Sequence, residues 1–217
     1  MWREEIGRNR LQFITHTYGE TGYVEGAMKA LEGGCRWIQL RIKEASDGEV
    51  EKAAKTVLRE CRRKSATLII DDRVDLAMSI GADGVHLGNK DMPIAEARRI
   101  MGTKYIIGGT ANTVDDLRRI VADGGDYAGC GPFRFTETKR NLAPELGLEG
   151  MARLAAWAKG KIPVVAIGGI EPDDIPYIMS TGVWGVAISG YILRSGDPVR
   201  ATESIIGLLG KERGNTK

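Results

Sequence analysis

The chain has 217 residues, 42% of them hydrophobic, enough to bury a full core and too many for a disordered polypeptide. Its 31 basic and 29 acidic residues leave a net charge of +2, too even for a nucleic-acid or membrane-surface protein, so any electropositive site is local. No run approaches the ~18 apolar residues of a membrane helix, and the stretch at 1–10, MWREEIGRNR, is a charged N-terminal extension without the apolar core of a signal peptide.

Taken in chain order, short apolar runs at 11–15, 37–41, 67–70, 84–87, 105–108, 126–130, 163–167 and 184–189 read as strands. The segments between them read as helices: 47–64 is rich in Glu, Lys, Ala and Leu, and 114–122 has apolar residues three and four apart. Strictly alternating strands and helices imply parallel pairing through crossover helices. Eight such units close into a single (β/α)₈ TIM barrel of the α/β class; an open doubly wound sheet is the alternative. No linker or low-complexity tract divides the chain, so one domain is expected over 1–217, with 211–217 as a flexible tail. Cys35, Cys61 and Cys130 are odd in number and widely spaced, which yields neither a disulfide framework nor a zinc site and points to a reducing cytoplasm.

In such barrels the reactive groups stand at the C-terminal ends of the strands. After the second strand, Gln39, Arg41 and Lys43 alternate and so share a face. Arg offers a fork of donors to phosphate oxygens and Lys a point charge; a solvated strand end is the plain alternative. After the third strand come Asp71 and Asp72, and after the fourth Asn89, Lys90 and Asp91. Carboxylates on neighbouring strand ends suit Mg²⁺, which favours one or two carboxylates plus phosphate oxygens and water. Each could instead cap the next helix, Asp72 near Val74 and Asp91 near Pro93. Capping is the simpler reading of either alone; their pairing opposite Arg41 and Lys43 favours the metal. His86 lies inside a strand and is expected to be packed and hydrogen-bonded rather than catalytic. Gly108, Gly109 and Thr110 after the fifth strand could hold a phosphate oxygen.

The sixth strand leads into a long loop containing GPFRFTETK at 131–139. Long loops on the functional face commonly carry function, and Phe133 and Phe135 look suited to covering a site. The seventh and eighth strands end in Gly168-Gly169 and Ser189-Gly190, where backbone amides can approach a phosphate. The pattern is a cationic and carboxylate half fit for Mg²⁺-pyrophosphate, an uncharged monophosphate pocket, and Lys139 with its threonines between them.

At these residues the sequence closely resembles the thiamine phosphate synthase family over 11–193. The carriers are QLRIK (39–43), DDRVDLA (71–77), ADGVHLGNKDMP (82–93), GPFRFTETK (131–139), VVAIGGI (164–170) and GVAISG (185–190). The resemblance implies that the stretch Gln39, Leu40, Arg41, Ile42 and Lys43 binds a pyrimidine pyrophosphate, helped by Asp71, Thr110 and Lys139. It implies Asp72 and Asp91 as Mg²⁺ ligands, and Arg41, Lys43 and Lys139 as the catalytic cations. Thr136, Glu137 and Thr138 match the segment that meets a thiazole phosphate, and Gly168, Ile188 and Ser189 its phosphate pocket. Asp71 departs from the family's usual Asn and would repel pyrophosphate unless protonated or metal-bound. Asn89 for Gln and Thr110 for Ser are mild departures.

The implied reaction joins hydroxymethylpyrimidine pyrophosphate to thiazole phosphate, either already aromatic or as its 2-carboxylate, giving thiamine phosphate and pyrophosphate. Small molecules are then the only ligands, with no nucleic acid or membrane; apolar positions on the outer helices could equally be ordinary surface or a homo-oligomer interface. Three rivals remain. A thiazole tautomerase would carry a histidine where Asn112 stands. A non-catalytic phosphate-ligand-binding barrel is favoured only by Asp71. A generic phosphosugar barrel leaves GPFRFTETK without a purpose.

Overall fold

The computed structural model describes residues 9–43, 45–135 and 144–211. Eight parallel strands form a closed barrel in sequence order: β1 (Leu11–Ile14), β2 (Trp37–Leu40), β3 (Thr67–Asp71), β4 (Gly84–Leu87), β5 (Ile106–Ala111), β6 (Tyr127–Cys130), β7 (Val164–Ile167) and β8 (Gly185–Ile188). Closure comes from β8 pairing with β1, Ile188 opposite Phe13. The surrounding helices are α1 (Tyr23–Glu32), α2 (Asp47–Arg63), α3 (Val74–Ile80), α4 (Ile94–Met101), α5 (Val114–Ala122), α6 (Gly147–Ala158), α7 (Ile175–Ser180), α8 (Gly190–Arg194) and α9 (Pro198–Lys211). None is long and apolar enough to cross a membrane.

Strand alternation divides the core in two. Ile14, Trp37, Ile69, Ile106, Tyr127, Val165 and Ala187 fill the barrel interior. Their neighbours, among them Phe13, Ile38, Leu68, Ile70, Val85, Ile107 and Val186, pack outward against the helices. Each such fully buried aliphatic contributes roughly 1.5–3 kcal/mol. The helices start where their sequences say they should: Ser46 with Glu49 forms a capping box on α2, and Thr113 with Asp116 another on α5. Arg98 of α4 ties its helix to the barrel floor through the carbonyls of Gly102, Tyr105 and Gly124 and the Asp126 carboxylate.

Two strands run further than the sequence reading has them, and the remaining strand ends agree to within one residue. β3 includes Asp71, and β5 runs on to Ala111, so Gly108, Gly109 and Thr110 are strand residues and not a loop. The glycines look like turn signals, but the ladder continues through them, with Thr110 opposite Gly129 and Ala111 opposite Cys130. They are cleared for neighbours instead: a Cβ on Gly108 would lie 2.2 Å from Tyr127 Cζ, and one on Gly109 2.7 Å from Ile94 Cδ1. All three cysteines are buried and free, and burial lifts their thiols to about 11 for Cys35 and about 12 for Cys61 and Cys130, so none is reactive.

Candidate active site

The register of β2 against β3 brings Gln39, Arg41 and Lys43 onto Asp71, which ends β3, and Asp72, which follows it. Gln39 donates from Nε2 to Asp71 Oδ1 at 2.6 Å. Arg41 Nε lies 3.4 Å and Lys43 Nζ 3.7 Å from Asp71 Oδ2, and Lys43 also donates to Asp72 Oδ2 at 2.7 Å. Arg41 and Lys43 stand beyond the end of the strand, where the ladder no longer holds the chain. Thr15 holds it instead: its hydroxyl accepts from Arg41 N at 2.9 Å and donates to Arg41 O at 3.1 Å. The sequence reading passed over Thr15, although a polar residue closing an apolar run is the signal that would have found it.

Neither proposed cap is made. The residues preceding α3 and α4 are Arg73 and Pro93, and neither helix start receives a side-chain capping bond. Asp72 has φ +65°, a left-handed conformation costly for a non-glycine residue, and its N–H is held by His86 O at 2.9 Å. That turn points its carboxylate back towards Lys43. Asp91 folds back on its own loop, accepting from Gly88 N at 2.7 Å, and its carboxyl is hydrogen-bonded to that of Asp72.

The electrostatics follow from this crowding. Burial, then the neighbouring Asp72 charge, pushes Asp71 up to about 6 against the pull of Lys43, Arg41 and Gln39. For Asp72 burial works against the charge, but the hydrogen bonds from Lys43 and Asp91 outweigh it and hold its carboxyl below the usual range. Burial and the hydrogen bond shared with Asp72 raise Asp91. Nearby, burial and the Arg41 guanidinium lower His16, which the sequence reading did not single out. Two neighbouring hard oxygen donors that oppose each other's charge are the donor set a hard divalent cation relieves, so Asp72 and Asp91 fit Mg²⁺. Among the described residues no group of three His, Cys, Asp or Glu side chains is arranged for a metal, and two carboxylates are what such a site needs when phosphate oxygens and water complete it.

Thr110 continues the site on β5. Its Oγ1 lies 3.0 Å from His86 Nε2, and His86 Nδ1 lies 3.0 Å from the Tyr127 hydroxyl. His86 is thus packed and hydrogen-bonded as expected. Asn112 donates from Nδ2 to Gly131 O, fixing the start of the β6 loop.

On the far side, the β6 loop is laced to β7. Phe133 N donates to Ile167 O at 2.8 Å and Arg134 N to Gly168 O at 3.0 Å; Arg134 also makes a two-pronged bond to Asp174. Gly168 has φ +102°, and a Cβ there would lie 2.8 Å from Pro132 Cβ. Glycine is therefore required here by the packing and the backbone conformation alone. Phe133 is buried in the outer core and does not cover the site, whereas Phe135 is 64% exposed. The Ser189 hydroxyl is buried without a hydrogen-bond partner among the described residues, a donor left for a ligand. Leu40, Ile42 and Ile188 pack into the outer core, so only their backbones can face a ligand. Thr136, Glu137, Thr138 and Lys139 lie outside the described residues.

Fold and strand ends together define a (β/α)₈ barrel with a cluster of cationic and carboxylate side chains at its C-terminal face. Residues 11–192 match the thiamine monophosphate synthase family. The thiamine-phosphate synthase of Bacteroides fragilis is 56% identical over 91% of this chain and 98% of its own length. That of Flavobacterium psychrophilum is 47% identical over 88% and 94%. A solved thiamine phosphate pyrophosphorylase from Pyrococcus furiosus superposes with TM-score 0.84 at 35% identity, covering 94% of this chain and 97% of that one. The chain belongs to the thiamine monophosphate synthase family.

Proposed function

We propose that the protein is a thiamine-phosphate synthase, a transferase that joins hydroxymethylpyrimidine pyrophosphate to thiazole phosphate and releases pyrophosphate. The observation that carries this reading is the convergence of Gln39, Arg41 and Lys43 on Asp71 and Asp72, with Asp91 alongside, within a chain of this family. Its ligands are small molecules, and the reducing cytoplasm is the compartment it implies.

In this reading Arg41 and Lys43, with the backbone at Leu40 and Ile42, hold the pyrophosphate group beside Gln39, Asp71 and Thr110. The bond between the pyrimidine methylene carbon and the pyrophosphate oxygen breaks, and the electron pair leaves on oxygen. The resulting cation is stabilised by the aminopyrimidine ring, and the thiazole nitrogen attacks that carbon. No covalent nucleophile is required, which agrees with the burial of every cysteine. Arg41, Lys43 and Lys139 balance the charge that develops on the leaving group. Mg²⁺, held by Asp72 and Asp91, would supply further neutralisation of the same charge. Ser189 and the Gly168 backbone take the monophosphate of the thiazole, whose ring meets Thr136, Glu137 and Thr138; Ile188 contributes through its backbone. Holding both substrates in one pocket supplies the proximity the coupling needs.

The test mixes the protein with both substrates and Mg²⁺ and follows thiamine phosphate as its fluorescent thiochrome. Product that vanishes with EDTA and in Asp72→Ala is the expected result. Substrates that bind without product would replace this reading with a binding-only barrel.

A further inference from the structure

A line of polar side chains crosses the barrel interior beneath the site. Gln12 Nε2 donates to the Tyr127 hydroxyl at 3.1 Å, Tyr127 meets His86 Nδ1 at 3.0 Å, and His86 Nε2 meets Thr110 Oγ1 at 3.0 Å. Room for it has been made in the backbone. In the register across the barrel, Asp71, His86, Gly108 and Tyr127 lie in one row. A Cβ at Gly108 would lie 2.5 Å from the Tyr127 hydroxyl, and one at Gly129 3.2 Å from His86 Cε1. Two inward positions that could have carried apolar bulk, as Ile106 and Val165 do, carry no side chain.

Donor counting gives this line a direction. The Tyr127 hydroxyl is fully buried, and burial raises its pKa so that it stays protonated. It accepts from Gln12, so its single proton has His86 Nδ1 as its acceptor. A ring that accepts at Nδ1 carries its proton at Nε2, and Nε2–H donates to Thr110 Oγ1. The Thr110 hydroxyl then already accepts from below, and its own proton points away from the histidine. Among the described residues Thr110 donates to no other group, and it lies two residues along β5 from Gly108, above the row of Asp71, His86 and Gly108 and towards the C-terminal face.

We propose that Gln12, Tyr127 and His86 form a one-way hydrogen-bond chain that fixes the Thr110 hydroxyl as a donor to the pyrophosphate ester, making His86 and Tyr127 positioning residues for that substrate. The part concerning the ligand rests on the function proposed above; the part concerning the direction of the chain does not. His86 does no proton transfer here. It turns a hydroxyl that could point either way into a fixed donor, so that binding an anion requires no reorientation.

Two measurements test it. The chain has two histidines, so ¹⁵N spectra of the substrate-free protein, with His16→Gln to assign them, report the His86 tautomer directly. Nε2–H is expected; Nδ1–H would mean that the chain runs backwards and would overturn the proposal whatever the enzyme's activity. The second measurement is kinetic. Tyr127→Phe and His86→Ala should raise KM for the pyrophosphate ester roughly tenfold or more, the loss of one charge-assisted bond, with KM for the thiazole phosphate unchanged. His86→Gln, which keeps an N–H donor near the Nε2 position, should recover most of that loss. In a Thr110→Ala background the His86 substitutions should add little. Effects that add to Thr110→Ala, or that raise both KM values alike with a lower Tm, would mark a merely structural role and refute it. Should no product form at all, titration with inorganic pyrophosphate replaces KM. The expected tautomer with weakened pyrophosphate binding in the variants would then sustain the chain while the synthase reading fell.

Discussion

Replacing Asp71 with Asn isolates a single buried charge whose cost can be worked from its surroundings. The residue is 6% exposed, and its carboxyl moves from 3.8 to about 6 on folding because burial and Asp72 outweigh the help of Lys43, Arg41 and Gln39. A carboxyl whose pKa rises on folding favours the protonated native state. Its penalty is absent below pH 4, grows as pH climbs through 6, and is complete above that. The size is about 3 kcal/mol at pH 8, of which about half is already present at pH 5. Asn keeps the oxygen that accepts from Gln39 Nε2 and carries no charge. The variant should therefore be the more stable protein at pH 8, by about 6–12 °C in Tm for a chain of this size, with the gap shrinking towards pH 5. Thermal unfolding followed by circular dichroism in EDTA at both pH values measures this. A variant less stable than the parent at pH 8, or a gap that does not change with pH, would refute the reasoning. The same substitution restores an amide donor towards pyrophosphate and should lower KM for that substrate.

Asp91→Asn removes one of the two neighbouring carboxyls, the one whose pKa burial and Asp72 raise. It should leave or improve metal-free stability while raising the Mg²⁺ concentration for half-maximal activity at least tenfold, about 1.4 kcal/mol, as a Mg²⁺ titration of initial rates would read. Arg98→Ala removes the donor to three carbonyls and to the Asp126 carboxylate, which keeps the Ile107 amide; it should cost about 3 kcal/mol in urea unfolding and leave KM for both substrates unchanged. Gly108→Ala places a methyl 2.2 Å from Tyr127 Cζ, and should cost about 1–3 kcal/mol by overpacking, visible as a lower Tm.

The barrel was legible because every strand is a short apolar run and every crossover carries helical periodicity, so the count of eight survived small errors at the ends. The cationic cluster was legible for a similar reason: alternation at Gln39, Arg41 and Lys43 carries on past the strand, kept in phase by Thr15. What pattern could not reach were contacts between distant segments. Gly108 reads as a strand end that could hold a phosphate oxygen until Tyr127 is seen to need its space. Asp72 and Asp91, each taken alone, could have been caps; the left-handed turn and the Gly88 amide that direct them elsewhere are not visible in the pattern. Phe133 reads as a cover for the site until its place in the outer core is known.

The charge at the strand ends explains why a divalent cation belongs in the proposal. Among the described residues the cluster holds two cations, Arg41 and Lys43, against three carboxyls, Asp71, Asp72 and Asp91. Fully ionised it carries a net charge of about −1, which repels an anionic ester at short range in a partly buried setting. Protonating Asp71, with its pKa of about 6, brings the cluster only to neutrality. A bound divalent cation takes the ionised cluster to about +1 and removes the repulsion between Asp72 and Asp91 in the same step. Thus the Asp71 that departs from the family's usual Asn need not abolish anion binding. It makes binding more dependent on the metal, and at pH values below 6, where Asp71 takes up a proton, that dependence should be weaker.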